Sequence, residues 1–204
     1  MLRAMEALGV VAVAWLAGAI PFSNLVARQA RGVDLRTVGT GTVSGTSLYR
    51  VAGFGPLALA GVLDVAKGAV GPALAGRDRP VRAALAAGAG IAGHNWSPFL
   101  QGAGGRGLSP ALGATLVAAW PGTVVLLAGL VGGRLAHHTG LGSFVAILAL
   151  VPVLAATRGR DGALLVAAVA APLLVKRLAG NRAPATATTD IYVSRLLYDR
   201  DHPT

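Results

Sequence analysis

Long apolar runs recur along the chain, separated by short polar or glycine-rich segments. Several runs approach the roughly 20 residues that an α-helix needs to cross about 30 Å of hydrocarbon. Helices satisfy their own backbone hydrogen bonds in that environment, so runs of this kind favour membrane helices. Hydrophobic residues make up 54% of the sequence and charged residues only 13%, which excludes an ordinary soluble domain. The sequence therefore predicts an all-α, polytopic membrane helix bundle.

We predict about seven spans, with residues 1–180 as the membrane domain. The predicted runs cover residues 8–27, 51–75, 83–100, 143–156 and 163–175, and residues 108–135 form two shorter helices. The division at 108–135 follows from Pro121 and Gly122, a turn signal, and Pro21 predicts a kink in the first run. Residues 28–50 are too polar for lipid and are predicted to form a loop. Residues 181–204 form a tail with a short amphipathic segment that lies on the membrane surface or frays.

The formal net charge of +10 resembles that of a nucleic-acid-binding protein, but the arginines lie between apolar runs. Basic loops that face anionic lipid explain this pattern better, so we expect the bilayer, and no nucleic acid, as a partner. With seven spans, eleven of the 18 basic residues fall on the side of the C-terminus. The positive-inside rule then places the polar loops and the C-terminus in the cytoplasm, and the protein in the plasma membrane.

Residues 93–110 interrupt the apolar chain with polar groups, closely spaced glycines and one arginine. Gly104, Gly105 and Gly107 surround Arg106 immediately before an apolar helical run. Glycine lets successive amides point into one concavity, and a helix N-terminus attracts anions. The segment therefore suits phosphate, although a flexible turn is the alternative. His94, at the edge of the preceding run, either donates to a ligand or caps a helix.

A second polar cluster occupies residues 39–47 and contains Thr40, Thr42, Thr46 and Ser47 among glycines. Small hydroxyl side chains and exposed amides of this kind can contact a polar ligand. A simple serine- and threonine-rich turn is the alternative interpretation. Arg50, which follows the cluster, can bind phosphate through two parallel hydrogen bonds or serve as an ordinary interfacial anchor.

Asp64 and Lys67 are two ionisable residues inside a predicted span. Such groups are costly in lipid and usually face a polar interior. Their i, i+3 spacing places both on one helix face, where they can pair. The pair either lines a polar site or only orders the bundle. The sequence has no cysteine, and its histidines and carboxylates lack metal-ligand spacing, so we expect neither a metal nor a cofactor.

Residues 39–50, 64–68 and 93–107 have the order and spacing of three motifs of a known family. They resemble the bacterial membrane glycerol-3-phosphate acyltransferases that use acyl-phosphate as donor. The resemblance implies acyl transfer to the 1-hydroxyl of glycerol-3-phosphate, which gives lysophosphatidic acid for phospholipid synthesis. It also implies that Arg106, with its neighbouring glycines, holds a phosphate, that Arg50 holds a second anion, and that the loop from Thr40 to Ser47 lines the site. Arg106, Thr40 and His94 are the implied catalytic centre.

The sequence departs from the family pattern in the last span. Residues 171–178 keep the arginine at Arg177 but lack the family's histidine and asparagine. A further departure lies outside the last span, where Arg106 occupies a position at which the family usually has lysine. Phe99 follows His94 by five residues, so the His-x4-Asp signature of thioester-using acyltransferases is absent. A non-catalytic protein that binds lipid phosphate or a membrane partner is therefore the alternative. A small transporter built on Asp64 and Lys67 is a further alternative.

Overall fold

The computed structural model describes residues 2–184 and 187–200, and the regular elements within this part are helices. The α-helices in chain order are α1 (Leu2–Ala19), α2 (Phe22–Arg31), α3 (Gly45–Ala52), α4 (Phe54–Ala75), α5 (Pro80–Asn95), α6 (Leu108–Ala118), α7 (Trp120–Leu135), α8 (Thr139–Ala179) and α9 (Thr189–Tyr198). Two short 3₁₀ turns, Leu35–Thr37 and Pro98–Leu100, lie in the polar segments. All-helical architecture is therefore confirmed.

Helix α8 is a hairpin of two arms. Gly159 has φ 55° and ψ −133°, which no helical residue adopts, so it separates an arm of residues 139–158 from an arm of residues 160–179. A Cβ placed on Gly162 would lie 2.0 Å from the Leu154 carbonyl oxygen. Residues eight apart in a continuous helix are separated by about 12 Å. The chain therefore turns back on itself at Gly159.

The two ends of the bundle are distinguished by their contacts. At one end the start of α1 meets the start of α5, where Glu6 lies 3.5 Å from Arg79 and 3.8 Å from Arg82. At the other end lie α2, α3, α9 and the loop between α5 and α6. We call this the motif end, because it carries residues 34–47, 94–107, 176–184 and 187–199. It holds the polar clusters singled out in the sequence.

Close helix contacts depend on small residues, and the outer surface is apolar. A Cβ on Gly113 would lie 1.8 Å from the Val65 carbonyl oxygen, and one on Gly68 would lie 2.1 Å from that of Pro110. Helices α4 and α6 therefore meet backbone to backbone, as is common in membrane bundles. Large apolar side chains such as Phe54 point outwards. Such a surface suits lipid.

Several element boundaries differ from the prediction. The predicted break near Pro121 is confirmed, because α6 ends at Ala118 and α7 begins at Trp120. The predicted kink at Pro21 is a complete break between α1 and α2. The predicted span of residues 51–75 was wrong at its start, because Gly53 (φ 83°) ends α3 and α4 begins at Phe54. Part of the predicted loop of residues 28–50 is helical. The predicted span of residues 83–100 ends early, at Asn95.

Three helical segments are long and apolar enough to cross a membrane within the described residues. They are Ala4–Arg31, Phe54–Ala75 and Thr139–Ala179, and α6 and α7 are apolar but shorter. The count of seven spans stays a prediction, as does the division of the chain at residue 180. In the tail, residues 189–198 form α9, which packs on α8. Residues 185–186 and 201–204 of the predicted tail lie outside the described residues.

Candidate active site

The two polar loops meet at the motif end, and Asn181 joins them. The backbone N–H of Val43 donates to the Gly104 carbonyl oxygen at 3.1 Å. Asn181 Nδ2 donates to the same oxygen at 2.8 Å and to the Gly41 carbonyl oxygen at 3.1 Å. Asn181 Oδ1 accepts from the Gly104 N–H at 3.1 Å. The Asn181 side chain thus fixes the loop of residues 39–47, the first loop, against the loop between α5 and α6.

Residues 104–107, which we call the glycine loop, are tightly packed, and this packing explains why the loop contains so much glycine. A Cβ on Gly104 would lie 2.2 Å from the His94 carbonyl oxygen, and one on Gly105 would lie 2.1 Å from His94 Nε2. Gly107, the residue directly before α6, has φ 78°, a left-handed conformation that favours glycine. These positions exclude larger residues. The sequence interpretation as a merely flexible turn therefore does not hold.

The backbone N–H groups that remain available to a ligand come directly after Gly104 and Gly105. The N–H of Gly104 donates to Asn181, and that of Gly105 donates to the His94 carbonyl oxygen at 3.2 Å. In contrast, the N–H groups of residues 106–109 have no acceptor among the described residues. These groups surround the N-terminus of α6, where the helix dipole favours an anion.

Arg106 lies at this helix N-terminus and is only 8% exposed. Its Nη1 donates to the Lys176 carbonyl oxygen at 2.7 Å, near the end of the second arm of α8. Its Nε lies 2.6 Å from Asp199 Oδ1 in an ion pair. Two contacts therefore hold the guanidinium group beside the free amides.

Asp64 and Lys67 form the predicted pair, which is confirmed at 2.7 Å between Asp64 Oδ1 and Lys67 Nζ. Ser23 Oγ donates to Asp64 Oδ2 at 3.1 Å, and Lys67 Nζ donates to the Ile20 carbonyl oxygen at 2.6 Å. His94 Nδ1 lies 3.9 Å from Asp64 Oδ1. The pair is thus satisfied by neighbouring groups. It ties Ile20, in the break between α1 and α2, and Ser23 of α2 to α4, and the neighbouring His94 packs against Gly105.

The hydroxyl residues of the first loop form their own hydrogen bonds. Thr40 Oγ1 and Thr42 Oγ1 are 2.9 Å apart, and Ser47 Oγ donates to the Thr42 carbonyl oxygen at 2.9 Å. Thr42 is buried, whereas Thr40 and Thr46 are exposed. Arg50 is exposed on α3 and makes no ion pair among the described residues. Its guanidinium group is therefore open to an anion from outside the chain.

The loop before the first motif is held by a local ion-pair cluster. Arg36 Nη2 lies 2.7 Å from Asp34 Oδ2, and Arg28 pairs with the same oxygen. Hydrogen bonds from Arg36 hold the pKa of Asp34 well below its usual range, with a smaller contribution from Arg28. Arg182 reaches the same segment, where its Nη2 donates to the Arg36 carbonyl oxygen at 3.0 Å.

Sequence reasoning missed several polar residues of the site. They are Ser23, Lys176, Asn181 and Asp199. Lys176 is buried, and its Nζ lies 5.3 Å from the centroid of the Trp96 ring. Lys176 occupies the position of the histidine in the family pattern of the last span, and this correspondence could have marked it as a site residue. Asn181 and Asp199 lie in a tail that is predicted as a linker followed by a short amphipathic segment, and nothing in that pattern marks either residue.

Fold and site together define a polytopic α-helical membrane protein whose buried site, at one end of the bundle, suits an oxyanion. Comparison with known proteins is consistent with this class. The family model for glycerol-3-phosphate acyltransferase matches residues 8–184. The chain therefore belongs to the glycerol-3-phosphate acyltransferase family.

Similar proteins with curated names support the assignment. The glycerol-3-phosphate acyltransferase of Synechococcus sp. (strain CC9902) is 35% identical over 84% of this chain and 86% of its own length. That of Rhodospirillum rubrum is 38% identical over 72% of this chain and 73% of its own. The chain thus matches most of each of these relatives.

Solved structures show the same fold. A crystal structure of PlsY (YgiH), an integral membrane glycerol 3-phosphate acyltransferase, in its glycerol 3-phosphate form, aligns with a TM-score of 0.78 and 25% identity. The alignment covers 97% of this chain and 95% of that chain. The lysophosphatidic acid form of the same protein aligns with a TM-score of 0.76 at 21% identity, and shows the fold alone.

Proposed function

We propose that the protein transfers an acyl group from acyl-phosphate to the 1-hydroxyl of glycerol-3-phosphate, giving lysophosphatidic acid and inorganic phosphate. The hydroxyl oxygen forms a bond to the acyl carbon, and the bond between that carbon and the phosphate oxygen breaks. The phosphate leaves with the electron pair, and the hydroxyl proton ends on phosphate. The observation that carries the proposal is the junction at Asn181, which brings the first loop to the glycine loop beside Arg106.

The reaction needs stabilisation of anionic oxygens more than it needs a nucleophilic side chain. Both substrates carry phosphate, and charge moves onto the leaving phosphate during transfer. Fixed cations and amides aimed at that charge are an effective form of catalysis in a water-poor site. Arg106 and the N–H groups of residues 106–109 supply them for one phosphate. Exposed Arg50 supplies a cation for the second phosphate.

The remaining predicted residues have supporting roles in this proposal. Thr40, Thr42, Thr46 and Ser47 line the acceptor side with hydroxyl groups. His94, with Gly104, Gly105 and Gly107, shapes the wall that carries Arg106. Asp64 and Lys67 hold His94 in place rather than binding substrate, since neighbouring groups satisfy both. That closed arrangement also argues against a transporter, which needs an ionisable pair open to solute.

The proposed setting is the plasma membrane, with the motif end in the cytoplasm. The motif end carries eleven basic residues, which are Arg28, Arg31, Arg36, Arg50, Arg106, Arg134, Lys176, Arg177, Arg182, Arg195 and Arg200. The opposite end carries fewer, and an excess of arginine and lysine marks the cytoplasmic side. Both water-soluble phosphate groups then reach the site from the cytoplasm.

The direct test is acyl transfer by the purified protein from palmitoyl-phosphate to labelled glycerol-3-phosphate. Arg106→Ala removes the buried cation, and Arg134→Ala removes an exposed arginine at the same end as a matched control. We expect labelled lysophosphatidic acid from the wild type and the control, a loss of at least a hundredfold in Arg106→Ala, and no product from palmitoyl-CoA.

The outcomes separate the alternatives. Product that forms equally well in Arg106→Ala refutes the proposed role of that residue. No product from a folded wild type that still binds phosphate supports the non-catalytic alternative, and refutes acyl transfer as the function.

A further inference from the structure

The C-terminal helix α9 places a carboxylate on the proposed phosphate-binding arginine. Asp199, directly after α9, has φ 56° and lies 2.6 Å from Arg106 Nε through Oδ1. Aspartate adopts this left-handed conformation more readily than most residues, and the Asp199 N–H donates to the Arg195 carbonyl oxygen at 3.1 Å. The helix cap thus aims the carboxylate at Arg106.

The contact leaves no complete edge of the guanidinium group for a phosphate. Arginine binds phosphate through two parallel N–H groups, either on the Nε and Nη2 edge or on the Nη1 and Nη2 edge. Asp199 Oδ1 lies 2.6 Å from Nε of the first edge, an ion-pair contact close enough to exclude a phosphate oxygen from that nitrogen. The Lys176 carbonyl oxygen occupies Nη1 of the second edge, at 2.7 Å. Bidentate binding therefore requires that one of the two leave.

Asp199 is the partner that can leave. The Lys176 carbonyl belongs to the buried end of α8, whereas the Asp199 side chain is 27% exposed. Helix α9 is attached largely by arginine-to-carbonyl hydrogen bonds. Arg195 donates to the carbonyl oxygens of Leu178 and Arg182, and Arg177 Nη1 donates to that of Leu196. Ile191 is its only buried apolar side chain among the described residues, and Leu196, Leu197 and Tyr198 are half-buried. Asp199 follows the end of the helix, so a movement of its side chain alone exposes none of these apolar groups.

We infer that Asp199 is an internal competitor for the phosphate site, so that a substrate phosphate binds Arg106 by displacing this carboxylate. Asp199 then sets the apparent affinity of the site, and favours ligands that carry more negative charge than a single carboxylate. The inference rests on the proposed phosphate-binding role of Arg106.

The test measures binding of inorganic phosphate to the purified full chain by isothermal titration calorimetry. Asp199→Asn keeps the size of the side chain and removes its charge, and Asp199→Ala removes the whole carboxylate group. Asp190→Asn removes one exposed negative charge from the same helix as a matched control. We expect the Kd for phosphate to fall by about tenfold in both Asp199 variants, which corresponds to about 1.4 kcal/mol, and to stay unchanged in the control.

Steady-state rates provide the second measurement. Competition predicts that the KM for glycerol-3-phosphate or palmitoyl-phosphate falls in Asp199→Asn while kcat is kept. If Asp199 instead positions Arg106, phosphate binding weakens or kcat falls, and either result overturns the inference. A Kd equal to that of the wild type also overturns it.

Arg106→Ala distinguishes the two proposals. If this variant binds phosphate as tightly as the wild type, the phosphate site of the proposed function is wrong. If Arg106→Ala loses phosphate binding while the Asp199 variants bind like the wild type, only the competition is wrong.

Discussion

Replacement of Asn181 by alanine tests the junction on which the site depends. The side chain makes three hydrogen bonds, two as donor to the carbonyl oxygens of Gly41 and Gly104 and one as acceptor from the Gly104 N–H. A typical hydrogen bond contributes about 1 kcal/mol net, so the variant loses about 3 kcal/mol of the interaction between the loops. Since about 1.4 kcal/mol corresponds to a factor of ten, we expect kcat/KM to fall by about a hundredfold.

The assay compares initial rates with palmitoyl-phosphate and labelled glycerol-3-phosphate. Asn181→Asp keeps the shape and the acceptor but replaces both donors with a carboxylate oxygen that faces two carbonyl groups. It should therefore be at least as impaired as the alanine variant. Thr157→Ala removes one side-chain hydrogen bond, to the Val153 carbonyl oxygen, at the other end of the bundle, and serves as the control. An Asn181→Ala variant within threefold of the wild type refutes the reasoning.

Other perturbations test how the scaffold supports the site. Lys67→Met leaves the Asp64 carboxylate buried without its cation and should lower the free energy of unfolding by about 3–5 kcal/mol. Replacing both residues by apolar ones should recover most of that loss. Denaturation in mixed detergent micelles measures both effects. Gly68→Ala forces α4 away from α6 and should destabilise the protein by about 1–3 kcal/mol. Gly61→Ala is the control on the same helix, because its Cβ meets open space, and it should be neutral or stabilising. Equal melting temperatures for the two variants would contradict the packing argument. The pKa of Asp34 is depressed in the folded protein, so Asp34 stabilises the fold fully above about pH 4, the pKa expected in the unfolded chain, and this stabilisation is lost as the pH falls towards the folded pKa. In Asp34→Asn, the free energy of unfolding should therefore fall less steeply as the pH drops below about 4. A pH dependence equal to that of the wild type would assign the loss of stability to other carboxylates.

Local patterns predicted the features that local physics determines. Asp64 and Lys67 pair because residues three apart share a helix face, and this holds whatever surrounds the helix. A new helix begins at Trp120 because Pro121 has no N–H to donate and is tolerated best in the first turn of a helix, so the break falls just before it, at Ala119. Counting spans predicted that the two polar loops face the same compartment, and the structure places them in direct contact.

Features that depend on distant parts of the chain were missed. Helix α3 lies in a stretch of glycine, threonine and serine whose helical tendency is weak, and its formation depends on the Ser44 cap and on packing against α4. Asn181 contacts a residue 140 positions away, and no periodicity encodes such a contact. The missing asparagine of the family pattern suggested a lost function, whereas an asparagine two positions further along, after Gly180, makes a junction between the loops.

The junction at Asn181 also constrains the order in which the protein matures. Translation delivers Gly41 and Gly104 long before the asparagine that ties them together, so the intermediate chain has both loops at the membrane but no bond from Asn181 between them. Helix insertion alone therefore does not complete the junction, because the second arm of α8 must also dock to bring Asn181 to both loops. A chain that ends anywhere before residue 181 inserts its helices without this bond between the loops.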